Sequence, residues 1–219
     1  MESLQEFGKL VLVVTTVLSV AYALHRASDD YSFAWQVWKR FRVRMFLEVL
    51  GVISLTAVAV AILWQVPGLK YGWLNLFYEN AGNMMIKPVM DGTESESRLI
   101  RLSVPLFLLA LTLALPFLAR EEEDWFRKGH THWNSILKQS VKFGLVHLFV
   151  GVPLAGALVI ILPGFFYGYK YKRTFDRLME EGRGLPNAMD EALMVSITNH
   201  TLYNTTLILF LILTTLTRV

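Results

Sequence analysis

From Leu102 to Ala119 the chain runs eighteen residues without a charged side chain and then meets Arg120, four consecutive acids and Arg127. A stretch so long and so apolar fits a helix that crosses the hydrocarbon core of a bilayer. Further apolar runs cover Phe7–Leu24, Met45–Val66, Ser135–Val150, Leu154–Tyr171 and Ala192–Thr217. Apolar residues are thus blocked together rather than spread at helical or strand periods. The expected fold is all-α: a polytopic transmembrane helix bundle of about six spans, forming one integral-membrane domain over residues 1–219. No linker is long enough to argue for a second domain.

Composition supports the same class. Hydrophobic residues make up 54% of the chain and charged ones 18%, where globular domains carry nearer a quarter charged. No apolar run is followed by a small-residue cleavage site, so the first is expected to be a retained anchor. The chain has no cysteine, which excludes disulfides, thiolate metal sites and a cysteine nucleophile. A net charge of +3 is too small and too confined to loops to argue for nucleic acid.

The connections set orientation. Residues 25–44 interleave Tyr31, Phe33, Trp35 and Trp38 with Lys39, Arg40, Arg42 and Arg44, a composition suited to the headgroup level. Glu48, one turn beyond Arg44, reads as an end-of-helix carboxylate reaching the interface. Residues 68–101 form a long connection expected to lie on the membrane surface. With six spans, the lysine- and arginine-bearing segments 25–44, 127–138 and 170–183 share one side, which the positive-inside rule makes the cytoplasm.

Three polar groupings survive inside apolar helices. Glu123 and Arg127 are four apart with the acid first, the better orientation for an intrahelical ion pair, while Glu122 points about 100° away around the helix. Phe143 and His147 share a face of the fourth span. Ser196, Asn199, His200, Tyr203 and Asn204 form a polar stripe on the sixth, which faces the bundle interior or a water-filled cavity rather than lipid. At 1.5 Å per residue, Glu122, His147 and His200 lie on the order of 10–20 Å from the presumed cytoplasmic ends. They can converge on one polar cavity open to the cytoplasm. A carboxylate, two imidazoles and an amide at one depth is what hydrolysis by an activated water needs. The bland readings are a solvated helix end for the acids and interhelical hydrogen bonding for the histidines. His130 and His132 read as solvated loop residues.

Glu122-Glu123-Asp124-Trp125-Phe126-Arg127, Phe143-Gly144-Leu145-Val146-His147 and His200-Thr201-Leu202-Tyr203-Asn204 resemble, in order and roughly in spacing, the Glu-Glu-x-x-x-Arg, Phe-x-x-x-His and His-x-x-x-Asn motifs of the CPBP intramembrane proteases, relatives of the type II CAAX prenyl endopeptidase, the Ras-converting enzyme. The stretch Gly164–Thr174 is similar to that family's helix between the two histidine motifs. The resemblance covers about residues 100–208. It implies a glutamate-dependent peptide hydrolase in which Glu122, with His147, activates water as general base. His200 and Asn204 would then donate to the oxyanion, and Glu123 and Arg127 would hold the first helix in place, with Phe143 supporting. No cofactor is implied. The implied partners are the bilayer and a membrane-anchored or prenylated protein substrate.

Other readings stand beside this one. Glu122, His147 and His200 also make a zinc ligand set, although the resemblance points away from metal. A non-catalytic scaffold or immunity protein of the same fold would keep the bundle without the chemistry. A transporter would suit the polar stripe, but the halves show no inverted repeat. Nothing in the residues specifies a prenylated cysteine.

Overall fold

The computed structural model describes residues 14, 17–26, 28–72 and 98–216, with side chains described from 105 to 214 in the second half. All regular structure among these residues is helical. Residues 17–26 are helical, and six helices follow: α1 Tyr31–Lys39, α2 Val43–Leu63, α3 Arg98–Phe126, α4 Trp133–Val146, α5 Leu154–Glu180 and α6 Leu185–Leu216. Most of the expected first span and of the connection 68–101 lies outside the described residues.

Two helices, α2 and α5, are long and apolar enough to cross a membrane. α2 carries Arg44 and Glu48 near its start and no charge from Val49 onward, and it buries only Val49, leaving Leu47, Leu55, Val58 and Ile62 uncovered. The expected fourth span is corrected: α4 has 14 residues, about 21 Å at 1.5 Å per residue, short of the ~30 Å core. It ends in turns over 147–151, so His147 is the residue that closes α4 rather than a residue within it.

The basic segment 170–183, expected as a connection, is also mostly helix. α5 continues to Glu180 because Lys172–Asp176 and Arg177–Glu181, at 2.5 and 3.0 Å, pair one turn apart along its polar end. The chain then turns at Gly182, whose φ of 77° suits a residue without Cβ. α6 begins at Leu185 and is the central helix. The structure replaces the expected one-faced stripe with a nearly enclosed segment, for Thr198, Thr201, Thr205 and Thr206 are buried along with Ser196, Asn199, His200 and Tyr203. Thr198 and Thr206 satisfy their hydroxyls on the carbonyls of Met194 and Leu202, one turn back.

α4 and α5 approach closely through glycine. A Cβ on Gly144 would stand 2.5 Å from the Ala157 carbonyl oxygen, one on Gly164 2.8 Å from Phe143 Cδ1, and one on Gly168 2.7 Å from Ile136 Cγ2. The four-residue glycine spacing thus does what it is suited to do, admitting a neighbouring helix. Two apolar clusters bracket the middle of the bundle. One joins Phe33, Val37, Phe117, Tyr171, Phe175 and Ala192; the other joins Val49, Phe143, Tyr167, Leu202 and Tyr203. At the first cluster's end, Arg40 holds Glu191 at 2.5 and 2.9 Å, Lys172 lies over Trp133, and Gly129 N–H donates to Tyr171 Oη. The three basic segments are therefore neighbours at one end of the bundle.

Candidate active site

The polar residues between the two clusters are organised by Glu123. Burial of a charge is tolerable only with an opposite charge and hydrogen bonds around it. Glu123 and Arg127 are both fully buried, with Arg127 Nε 3.5 Å from Glu123 Oε2. Arg127 further donates from Nη2 to the Gly164 carbonyl at 2.8 Å and from Nη1 to the Phe126 carbonyl at 3.0 Å. Its guanidinium carbon lies 5.3 Å from the centre of the Phe143 ring.

Glu123 does more than brace its own helix. Ser196 Oγ donates to Glu123 Oε2 at 2.5 Å, and His200 Nδ1 lies 2.9 Å from Glu123 Oε1. Since a carboxylate accepts, Nδ1 carries the proton and donates. The opposite ring nitrogen, Nε2, then faces Glu122, whose Oε2 is 3.9 Å away. Glu122 is 41% exposed where Glu123 is sealed. The two adjacent carboxylates thus occupy opposite environments, as their 100° offset requires.

The rings fix His200 from the sides. Tyr167 stacks on it at 4.5 Å with planes 15° apart, and Phe143 meets it edge-on at 5.6 Å. Phe143 also meets His147 at 5.0 Å, so the two histidines flank one aromatic ring. His147 Nδ1 lies 2.7 Å from the Phe143 carbonyl oxygen. A carbonyl only accepts, so this nitrogen too is the donor, leaving Nε2 to carry the lone pair when His147 is neutral.

Of the residues singled out in the sequence, Glu122, Glu123, Arg127, Phe143, His147 and His200 form one contiguous group. Asn204 follows His200 by one turn of α6 and is half-buried. Two contributors carried weaker signals. Ser196 belongs to the polar stripe, but its bond to Glu123 depends on how α3 meets α6. Tyr167 is one aromatic among several in Gly164–Tyr171, and only the packing of α5 on α6 selects it. His130 and His132 stay outside the group; His130 Nδ1 pairs with Ser135 Oγ at 2.6 Å.

A cavity of about 1280 Å³ lies beside the group. It is bounded by α2, α5 and α6 and borders the site at Asn199 and Phe166, with Glu122, His147 and His200 outside its lining. Among the described residues, no three histidine, aspartate or glutamate side chains are gathered closely enough to hold a metal ion, and the Nδ1 atoms of His147 and His200 are already engaged. No protein-family model, curated protein or solved structure matches the chain.

Proposed function

We propose that the chain is a multi-pass intramembrane hydrolase that cleaves a peptide bond in a membrane-anchored protein with a glutamate-activated water, in the manner of the CPBP proteases its motifs resemble. The observation that carries the reading is the pair Glu122–His200: an accessible carboxylate 3.9 Å from an imidazole nitrogen whose other nitrogen is tied to a buried carboxylate. Glu122 takes a proton from water as the water attacks the carbonyl carbon. His147, whose Nδ1 is engaged by the Phe143 carbonyl, accepts or relays that proton at Nε2.

His200 acts on the oxyanion only as imidazolium, because Glu123 already takes the Nδ1 proton and a donor is needed at Nε2. Asn204 contributes a neutral amide donor one turn along α6. Collapse of the tetrahedral intermediate returns a proton to the departing amine, and no acyl-enzyme forms. Substrate reaches the site from the basic end of the bundle, the side that the positive-inside rule assigns to the cytoplasm.

The test is membrane proteomics on cells carrying the wild-type chain and the Glu122→Ala variant, followed by cleavage of the accumulating substrate by purified protein. Loss of cleavage in Glu122→Ala, His147→Ala and His200→Ala with normal folding supports the reading. Full activity in Glu122→Ala overturns it, and activity restored to chelated protein by added zinc transfers the chemistry to a metal.

A further inference from the structure

The cavity beside the site has two kinds of wall. Met45, Val52, Leu55 and Phe166 make part of it apolar, while Arg40, Arg42, Arg44, Lys170, Arg173 and Arg177 outnumber the acids Glu48, Asp176, Glu180 and Glu191 along the rest. Its two long walls, α2 and α5, are the helices apolar enough to cross a membrane. Several of its charges are already matched. Glu48 binds both Lys170 and Arg44, Glu191 binds Arg40, Asp176 binds Lys172, and Arg177 binds Glu181.

Two cations remain without an acid among the described residues. Arg42 has no carboxylate within ion-pair distance, and Arg173 makes one hydrogen bond, from Nη1 to Tyr169 Oη at 2.7 Å. Arg42 also precedes the first turn of α2, which has no capping side-chain hydrogen bond and no acid within that turn, so the helix end adds to the positive field. A separate feature points the same way. Asn199, 1% exposed, lines the cavity and spends its Nδ2 on the Val195 carbonyl, while its Oδ1 has no partner. A buried acceptor left open calls for a donor.

We infer that this cavity holds one anionic glycerophospholipid bearing a headgroup hydroxyl, with its phosphate at Arg42 and Arg173, its hydroxyl donating to Asn199 Oδ1 and an acyl chain along Met45, Val52, Leu55 and Phe166. Guanidinium suits a phosphate because it offers paired donors in a fixed plane. The inference rests on the membrane placement of α2 and α5, not on hydrolysis. Partition of the chain into washed membranes tests that placement separately.

The experiment is native mass spectrometry of the full chain in detergent, with phosphatidylglycerol, phosphatidylmethanol and phosphatidylcholine of matched acyl chains, and with glycerol 3-phosphate alone. Wild type is expected to retain phosphatidylglycerol over phosphatidylcholine by roughly tenfold or more, given two arginines at a phosphate. Phosphatidylmethanol, anionic without the hydroxyl, should rank between them. The exposed-site double variant Arg42→Ala/Arg173→Ala should lose the preference and Arg42→Lys/Arg173→Lys should keep most of it. Asn199→Leu should bring phosphatidylglycerol and phosphatidylmethanol level. Equal retention of phosphatidylglycerol and phosphatidylcholine by wild type, or an unchanged preference in the alanine double variant, overturns the inference. Glycerol 3-phosphate binding as tightly as the lipid overturns it in favour of a soluble anion.

Discussion

Glu123 holds His200: Oε1 of the buried carboxylate takes the Nδ1 proton of the imidazole at 2.9 Å, which turns Nε2 toward Glu122. The adjacent glutamates therefore have different jobs, and their substitutions should separate. Glu123→Ala leaves Arg127 buried without its counter-charge and should destabilise the fold by about 3–5 kcal/mol. Glu122→Ala, at a carboxylate 41% exposed, should leave the unfolding midpoint in detergent within about 2 °C, the scale of a sub-0.5 kcal/mol surface change, yet remove cleavage. Equal loss of stability in the two variants would contradict this division.

How far the sequence reached differs between the two histidines. Glu122, Glu123 and Arg127 were assignable because helix geometry alone separates Glu122 from the Glu123–Arg127 pair. The helical class followed from the long apolar runs. What spacing within one helix leaves open is which residue of another helix lies opposite. Glu123 was legible as a partner of Arg127, but its bond to His200 arises only when α3 and α6 pack together. Ser196 and Tyr167 are hidden for the same reason. The length of α4 is a different case: the run Ser135–Val150 is apolar enough to suggest a span, but the helix stops at Val146 and turns lead to Gly151 and Pro153.

The glycine contacts between α4 and α5 give a stability series. Gly144→Ala places a methyl 2.5 Å from the backbone oxygen of Ala157, an atom that moves only if α5 moves. It should cost about 1–3 kcal/mol, the usual range for overpacking. Gly51→Ala, on the open face of α2 with nothing within 4 Å, should be neutral or stabilising by up to about 1 kcal/mol through helix propensity. Thermal unfolding of the two variants side by side checks the order, and a reversed order would mean that α4 does not seat on α5 at Gly144.

Tyr167 acts on His200 through its ring face, at 4.5 Å and 15°. Removing the ring frees the imidazole to tilt off the line to Glu122. Tyr167→Ala should lower kcat at least tenfold, about 1.4 kcal/mol of transition-state stabilisation, with little change in KM. Tyr167→Phe keeps the stacked ring and should restore most of the rate. If Phe fails to rescue while the protein remains folded, the hydroxyl rather than the ring face matters.

His130 links stability to pH. Burial holds its pKa below the ordinary value, and the nearby cations Arg127 and Lys142 add to the effect. The unfolded chain, at about 6.5, therefore binds a proton more readily than the folded one. Where the folded pKa is the lower, stability is fully present above the unfolded pKa and falls as pH drops from about 6.5 through the folded value. The Ser135 contact at 2.6 Å suits the neutral ring. In detergent, the difference in unfolding midpoint between wild type and His130→Gln should favour wild type at pH 7.5 and shrink steadily toward pH 5. A difference that grows as pH falls would mean that the folded state prefers the imidazolium, placing an acid beside His130 in solution.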